Sequence, residues 1–106
     1  YMIYRYRFLM AIQGFGSRLT EKIFLGEMDK EVSRLPSDII RAAQRKLDML
    51  QAAEVLQDLA CPPGNNLHAL KDDLVGYHAI RINKQWRIIF VWKADGPCEV
   101  EIQDYH

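Results

Sequence analysis

The second half of the chain carries the pattern that most constrains its fold, an alternation of apolar and polar residues in three consecutive runs. The runs are Tyr77 to Ile82, Trp86 to Trp92 and Cys98 to Gln103, and the segments between them are three and five residues long. A period of two is typical of strands with one buried face, and connections this short join antiparallel neighbours. The sequence therefore predicts an antiparallel β-meander over residues 77–103.

The lengths of the loops also predict which residues of the meander face each other. A three-residue loop at 83–85 places Arg81 opposite Arg87, and a five-residue loop at 93–97 continues the same alternation into the third run. The further pairs expected are Ile82 with Trp86, Ile80 with Ile88, Phe90 with Val100 and Ile88 with Ile102. One face is then apolar core, made of Ile80, Ile82, Trp86, Ile88, Phe90, Trp92, Val100 and Ile102. The other face presents Arg81, Arg87, Glu101, Gln103 and Tyr105.

The predicted pair of facing arginines requires a nearby anion. Like charges directly across a ladder destabilise it, so Arg81 and Arg87 are best accommodated with negative charge beside them. Glu101 can supply that charge as a salt bridge, and an RNA phosphate can supply it as a ligand. The residues leave both interpretations open.

The first half of the chain has helical rather than alternating spacing. Pro36-Ser37-Asp38 is a typical helix start, and Ile40, Ala43, Leu47 and Leu50 follow it along one stripe. The opposite face of this predicted helix carries Arg41 and Arg45, one turn apart, either as an RNA contact or as an ordinary solvated face. The patterns for the other elements are less regular. They predict a strand at Ala11 to Phe15 and a short helix capped by Thr20 and closed by Gly26. They also predict a charged linker from Glu27 to Arg34, a helical piece from Ala53 to Leu59, and a non-helical segment from Pro62 to Asn66.

Composition limits the class of protein. The 106 residues suffice for one domain, and 14 basic residues balance 14 acidic ones, so there is no global attraction to a polyanion. No apolar run approaches the roughly 18 residues that span a bilayer, and the two cysteines, Cys61 and Cys98, lack the paired spacing of a zinc site. We expect a cytoplasmic protein with free thiols, without a membrane segment or a cofactor.

The residues able to do proton chemistry are concentrated near the predicted polar face. His68 and Lys71 stand three apart, and Tyr105 and His106 follow the last strand. RNA cleavage needs a group to remove the 2′-hydroxyl proton, a group to protonate the departing oxygen, and fixed positive charge on the phosphorane. His, Lys, Arg and Tyr side chains can fill those roles without a metal, and the histidine spacing does not match a metal site.

Four stretches and part of the long helix resemble one family closely. The stretches are PPGNNLHALK at 62–71, GYHAIRIN at 76–83, QWRIIF at 85–90 and VEIQDYH at 100–106, and RKLDMLQAA at 45–53 extends the likeness upstream. They resemble the HigB or "killer protein" branch of the RelE/ParE toxin superfamily. The likeness fades before about Gln13, and members usually begin just ahead of a strand like the one ending at Phe15. We therefore expect one toxin domain over residues 1–106, with a native start at Met10 and residues 1–9 as an N-terminal extension.

The resemblance implies a structure, an activity and partners. It implies an α+β fold with two N-terminal helices packed on a curved antiparallel sheet, formed by the three-strand meander and an N-terminal strand. It implies a ribosome-dependent mRNA endonuclease that acts in the A site, needs no metal, and is neutralised by a HigA-like antitoxin whose helix-turn-helix domain alone contacts operator DNA. Carried over by position, the catalytic residues are His68, Lys71, Arg87, Tyr105 and His106, with Arg81, Arg41 and Arg45 as RNA-binding residues.

Two other functions stay open. The same fold in the ParE branch resembles a poison of DNA gyrase that needs no nuclease residues, and a module that keeps only the antitoxin-binding surface would be inactive. The chain also departs from basic ribosome-binding toxins in being neutral, with Asp72 and Asp73 directly after Lys71. Ribosome binding is accordingly expected to be weak or sensitive to salt.

Overall fold

A computed structural model describes residues 11–105, which form three α-helices followed by a four-stranded antiparallel sheet. The helices are α1 (Arg18–Leu25), α2 (Lys30–Ser33) and α3 (Ser37–Ala52). The strands are β1 (His68–Ala69), β2 (His78–Arg81), β3 (Trp86–Lys93) and β4 (Gly96–Asp104), in that spatial order. Short 3₁₀ turns lie at Leu56–Ala60, Pro63–Asn65 and Asp72–Leu74. The α+β prediction is confirmed, and the expected extension at residues 1–9 and the terminal His106 lie outside the described residues.

The long helix forms where its apolar stripe predicts it. Ile40, Ala43, Leu47 and Leu50 are all buried, and the amides of the first turn bond to the carbonyl of Pro36. This stripe packs with the inner face of the sheet in one core that contains Ile80, Ile88, Phe90, Val100 and Ile102, with Trp86 and Trp92 packed against it. The core assignment of both tryptophans is therefore confirmed. Within residues 11–105, no helix is long and apolar enough to cross a membrane.

The cap of α1 differs from the prediction. Ser17, not Thr20, is the N-cap, since its extended backbone lies just outside the helix and its hydroxyl accepts a hydrogen bond from the Thr20 amide at 3.1 Å. Thr20 is instead fully buried, and its hydroxyl accepts a hydrogen bond from the Ile102 amide at 3.0 Å, which ties α1 to β4. Gly26 ends the helix in the left-handed conformation, with φ 78°, as predicted.

Three segments of the helical half differ from the prediction. The linker from Glu27 to Arg34 contains α2, because the Asp29 side chain caps it and Val32 is buried beneath it. The expected helical piece from Ala53 to Leu59 is displaced to the 3₁₀ turn Leu56–Ala60. The proline-rich segment from Pro62 to Asn66 holds the 3₁₀ turn Pro63–Asn65, which a proline at its first position does not obstruct.

The register of the sheet follows the prediction except at the last hairpin. Arg81 faces Arg87, Ile80 faces Ile88, and Ile88 faces Ile102. The predicted five-residue loop is wrong, because Lys93 pairs with Gly96 across a two-residue turn. A β-bulge at Glu99, with φ 52°, adds one residue to β4 and restores the predicted register beyond it, so the expected pair of Phe90 and Val100 falls within the bulge.

The predicted N-terminal strand is reduced to one parallel bridge between Phe15 and Val100. Backbone hydrogen bonds from Gln13 to Pro97, from Gly16 to Val100, and from Val100 to Gly14 hold this segment along the free edge of β4. The segment therefore lies where a fifth strand would lie, but the bulge in β4 interrupts the regular spacing that a longer ladder needs.

Candidate functional site

The side of the sheet away from α3, which we call the outer face, carries a row of three polar side chains. Arg81 on β2, Arg87 on β3 and Gln103 on β4 are directly paired, so their side chains project from the same face. Both arginines are half-buried. Tyr105 follows two residues after Gln103 and continues the row beyond the end of β4.

Arg87 is held by two neutral groups. Its Nε donates a hydrogen bond of 2.7 Å to Oε1 of Gln103, and its guanidinium carbon lies 4.7 Å from the ring centroid of Tyr105. The first contact sets the plane of the guanidinium and the second is a cation–π contact. Neither contact removes the positive charge, so among residues 11–105 Arg87 is an oriented cation without a carboxylate partner on the outer face.

The salt bridge from Glu101, one of the two interpretations that the sequence left open, is not formed. Glu101 pairs with Ile89, two residues along β3 from Arg87, and its carboxylate lies against Gly16. Arg81 donates instead from Nε to the carbonyl of Asn83 at 3.2 Å. Within residues 11–105 no carboxylate forms an ion pair with either arginine. The interpretation of the arginine pair as a salt bridge to Glu101 is therefore not supported by the described residues.

His68 shares this face. It pairs with Ala79 on β2, which makes it a diagonal neighbour of Arg81, and such neighbours are about 7 to 8 Å apart. Its Nδ1 lies 2.7 Å from the carbonyl oxygen of Asn66. A carbonyl only accepts, so Nδ1 is the donor, and in the neutral ring Nε2 is the nitrogen with a free lone pair.

Lys71 is a predicted catalytic residue that the fold does not bring to this row. It precedes the 3₁₀ turn Asp72–Leu74, and the hydrogen bond from the Leu70 amide to the Tyr77 carbonyl places it beyond the start of β2. Four residues of strand separate Tyr77 from Arg81, about 13 Å at strand spacing. Lys71 is exposed and lies at the opposite end of β2 from the two arginines.

The other predicted residues divide between three locations. Tyr105 is exposed and stacked by Arg87, whereas His106 lies outside the described residues. Arg41 and Arg45 are exposed on α3, which covers the inner face, so they form a separate surface from the outer-face row. The third histidine, His78, is not a predicted site residue and faces the core, with its ring 6.3 Å from that of Phe90. Within residues 11–105 there is no group of three His, Cys, Asp or Glu side chains placed to hold a metal ion.

Sequence reasoning missed two partners that complete the site. Gln103 was placed on the correct face, but its hydrogen bond to Arg87 was not foreseen, because a nearby carboxylate is the usual partner of an arginine. The carbonyl of Asn66 was not foreseen either, since a backbone acceptor leaves no signal in residue types.

A further contact organises the far end of the outer face. The Tyr77 hydroxyl donates a 2.8 Å hydrogen bond to the Glu99 carboxylate, and this hydrogen bond raises the pKa of Tyr77.

Comparison with known proteins identifies similar chains. A protein-family model described as a RelE-like toxin of the type II toxin–antitoxin system HigB matches residues 15–106. Toxin HigB-1 of Vibrio cholerae is 47% identical over 80 residues, which cover 76% of this chain and 83% of that protein. An uncharacterised protein of Haemophilus influenzae is 39% identical over 61 residues, covering 58% of this chain and 60% of that protein. The residues matched by the family model include the whole outer-face row and Tyr105.

Proposed function

Because this chain belongs to the HigB-like toxin family of type II toxin–antitoxin systems, we propose that it is a ribosome-dependent mRNA endonuclease that inhibits translation. One observation carries the proposal: Arg81 and Arg87 face each other on the outer face without a carboxylate partner among residues 11–105. Such a pair is unfavourable unless an anion binds between or beside the two side chains. A phosphate of the mRNA backbone fits that requirement.

The proposed mechanism assigns a role to each side chain of the face. Nε2 of His68 removes the proton of the 2′-hydroxyl, which attacks the adjacent phosphate. Arg87, with Arg81 beside it, stabilises the negative charge of the phosphorane without reorganising. Tyr105 and His106 are the candidates for donating a proton to the departing 5′-oxygen. Lys71, at the far end of β2, is assigned to a neighbouring phosphate of the same strand.

The proposal also assigns partners to the surfaces outside the row. As a toxin of a toxin–antitoxin system the chain has an antitoxin partner, which we propose is a HigA-like protein with a helix-turn-helix domain that alone contacts operator DNA. We propose that the chain acts in the cytoplasm, in the ribosomal A site, and that Arg41 and Arg45 contact ribosomal RNA from the exposed face of α3. Exposed arginines with this spacing can contact successive phosphates.

Two alternative functions can be distinguished from the proposed one by experiment. A ParE-like gyrase poison does not need an uncompensated arginine pair beside a histidine, and an inactive antitoxin-binding module does not need any of these side chains. The geometry of Arg87, oriented by Gln103 and Tyr105 but not neutralised, favours phosphate chemistry over both.

The substitution Arg87→Ala tests the proposal. Removing one preorganised cation typically costs about 10² to 10³ in rate, so single-turnover cleavage of mRNA on programmed ribosomes should fall by that factor. Antitoxin binding and the thermal unfolding midpoint should stay close to wild type. Arg34→Ala, an exposed arginine at the end of α2, is the matched control and should cut at the wild-type rate. Wild-type cleavage by Arg87→Ala, or inhibition of gyrase supercoiling by the wild-type chain, would contradict the proposal.

A further inference from the structure

A fully buried asparagine lies under the turn that leads into β1. The side-chain amide of Asn65 donates to the carbonyls of Leu59 and Cys61, at 3.1 and 3.4 Å, and its oxygen accepts a hydrogen bond from the Lys46 ammonium on α3. Burial lowers the pKa of Lys46, and repulsion by Arg45 lowers it further. The Lys46 ammonium therefore loses part of its hydration where it makes this contact. Asn65 thus joins α3, the 3₁₀ turn at Leu56–Ala60 and the turn before β1.

The residue after this anchor holds His68. Asn66 adopts the left-handed conformation, with φ 50° and ψ 49°, and its amide bonds to the Pro63 carbonyl at 3.0 Å. Its own carbonyl is the acceptor for Nδ1 of His68 at 2.7 Å. A non-glycine residue keeps this sparsely populated conformation only where its surroundings determine it. The direction of the Asn66 carbonyl therefore depends on the buried contacts of Asn65.

We propose that Asn65 is a positioning residue for His68: it fixes the turn so that the Asn66 carbonyl holds the proton on Nδ1 and leaves Nε2 as the basic nitrogen on the outer face. The role of His68 as a base in catalysis rests on the proposed function, whereas the position of the proton on its ring does not. Asn65 touches neither His68 nor the outer face directly. It acts through one carbonyl, in the way that a hydrogen bond to one ring nitrogen selects the tautomer of a histidine.

The proton position on His68 can be measured without any ribosome. Imidazole ¹⁵N shifts of the full chain, recorded at alkaline pH, distinguish protonated from unprotonated nitrogen. The His68→Gln variant identifies the His68 signals among the three histidines. We expect Nδ1 protonated and Nε2 unprotonated in the wild type. A neutral imidazole without such a partner favours the proton on Nε2, so loss of the anchor should move the signals in that direction.

Two variants weaken the anchor by different routes. Asn65→Asp is isosteric and removes the amide donor to Leu59, Cys61 and the Met49 sulfur, and Lys46→Gln changes only the contact from Lys46. Both should increase the Nε2-protonated form, and both should lower single-turnover cleavage by about tenfold to a hundredfold, the scale of a 1 Å misplacement. Lys93→Gln, an exposed lysine at the end of β3, is the matched control and should change neither measurement.

The outcomes separate the two proposals. An Nε2-protonated His68 in the wild type, or wild-type shifts in a folded Asn65→Asp and in Lys46→Gln, would overturn the positioning role. If Asn65→Asp does not fold, Lys46→Gln alone decides. The expected tautomer in the wild type and its change in the variants, together with no cleavage on ribosomes, would support the positioning role and contradict the proposed function.

Discussion

At the scale of single residues, the outer face is organised by neutral partners. Arg87 is oriented by an amide oxygen and an aromatic ring, and Arg81 by a backbone carbonyl, so both guanidinium groups keep their full charge. A carboxylate in any of these positions would orient the same side chain more tightly. It would also satisfy the positive charge that the proposed reaction needs for the phosphorane.

The substitution Gln103→Glu tests this point, since it changes the charge of the Arg87 partner and little else. The new carboxylate would lie at the 2.7 Å contact with Nε and form a charge-assisted hydrogen bond. We expect the free energy of unfolding to stay the same or rise by up to about 1 kcal/mol. Cleavage on ribosomes should fall at least tenfold, because the new carboxylate neutralises part of the positive charge that would stabilise the phosphorane.

Gln57→Glu is the control for net charge, because Gln57 is exposed on the 3₁₀ turn away from the sheet. It should bind ribosomes and cut as the wild type does. Equal loss of cleavage in both variants would show that overall charge, rather than compensation of Arg87, is responsible.

At the scale of elements, the bulge in β4 decides which side chains reach the outer face. Without the additional residue at Glu99, every position from Val100 onward would shift by one, and the polar side chains would turn toward the core. The segment that precedes α1 packs against this bulge, since Gly16 lies close to the Glu99 carbonyl and to the Glu101 side chain. This contact therefore supports the register that places Gln103 and Tyr105 beside Arg87.

Two glycines on that segment provide a matched test. A Cβ on Gly16 would meet Oε1 of Glu101 at 2.9 Å and the Glu99 carbonyl oxygen at 3.2 Å, whereas a Cβ on Gly14 would meet no atom within 4 Å. We expect Gly16→Ala to lower the unfolding free energy by about 1 to 3 kcal/mol, as overpacking does, because the backbone carbonyl has little room to move. Chemical denaturation should show Gly14→Ala close to wild type, and equal stability of the two variants would show that the contact with the bulge does not matter.

These elements also show what sequence reasoning can and cannot predict. The stripe of α3 and the pairing of Arg81 with Arg87 were predictable, because periodicity and a short loop determine them. In the last hairpin the pairs next to the turn were predicted wrongly, whereas the pairs beyond the bulge match the prediction because a tighter turn and an unforeseen bulge offset each other. The bulge could not be predicted from the residue type of Glu99, because residues other than glycine rarely adopt the left-handed conformation that it has here. The partners of Arg87 and His68 were missed because they depend on tertiary contacts.

At the scale of the whole molecule, the balance of 14 basic and 14 acidic residues gives no long-range attraction to RNA. The candidate catalytic side chains are spread over the outer face of the sheet, so the chain by itself has little means of holding a flexible strand in register. Correct orientation of a substrate can contribute about 7 to 11 kcal/mol to lowering a reaction barrier. We therefore expect the ribosome to supply most of that orientation, and the chain to supply the charge and the proton transfers.

The most direct measurement compares cleavage of one mRNA by the purified chain, naked and bound in programmed ribosomes with an open A site, at matched low and physiological salt. We predict cuts at the A-site codon with ribosomes, no cutting of the naked RNA, and weaker cutting at the higher salt, as expected for contacts to phosphates. Equal cutting of naked RNA would contradict the role given to the ribosome. Absence of cutting in both would contradict the nuclease assignment itself.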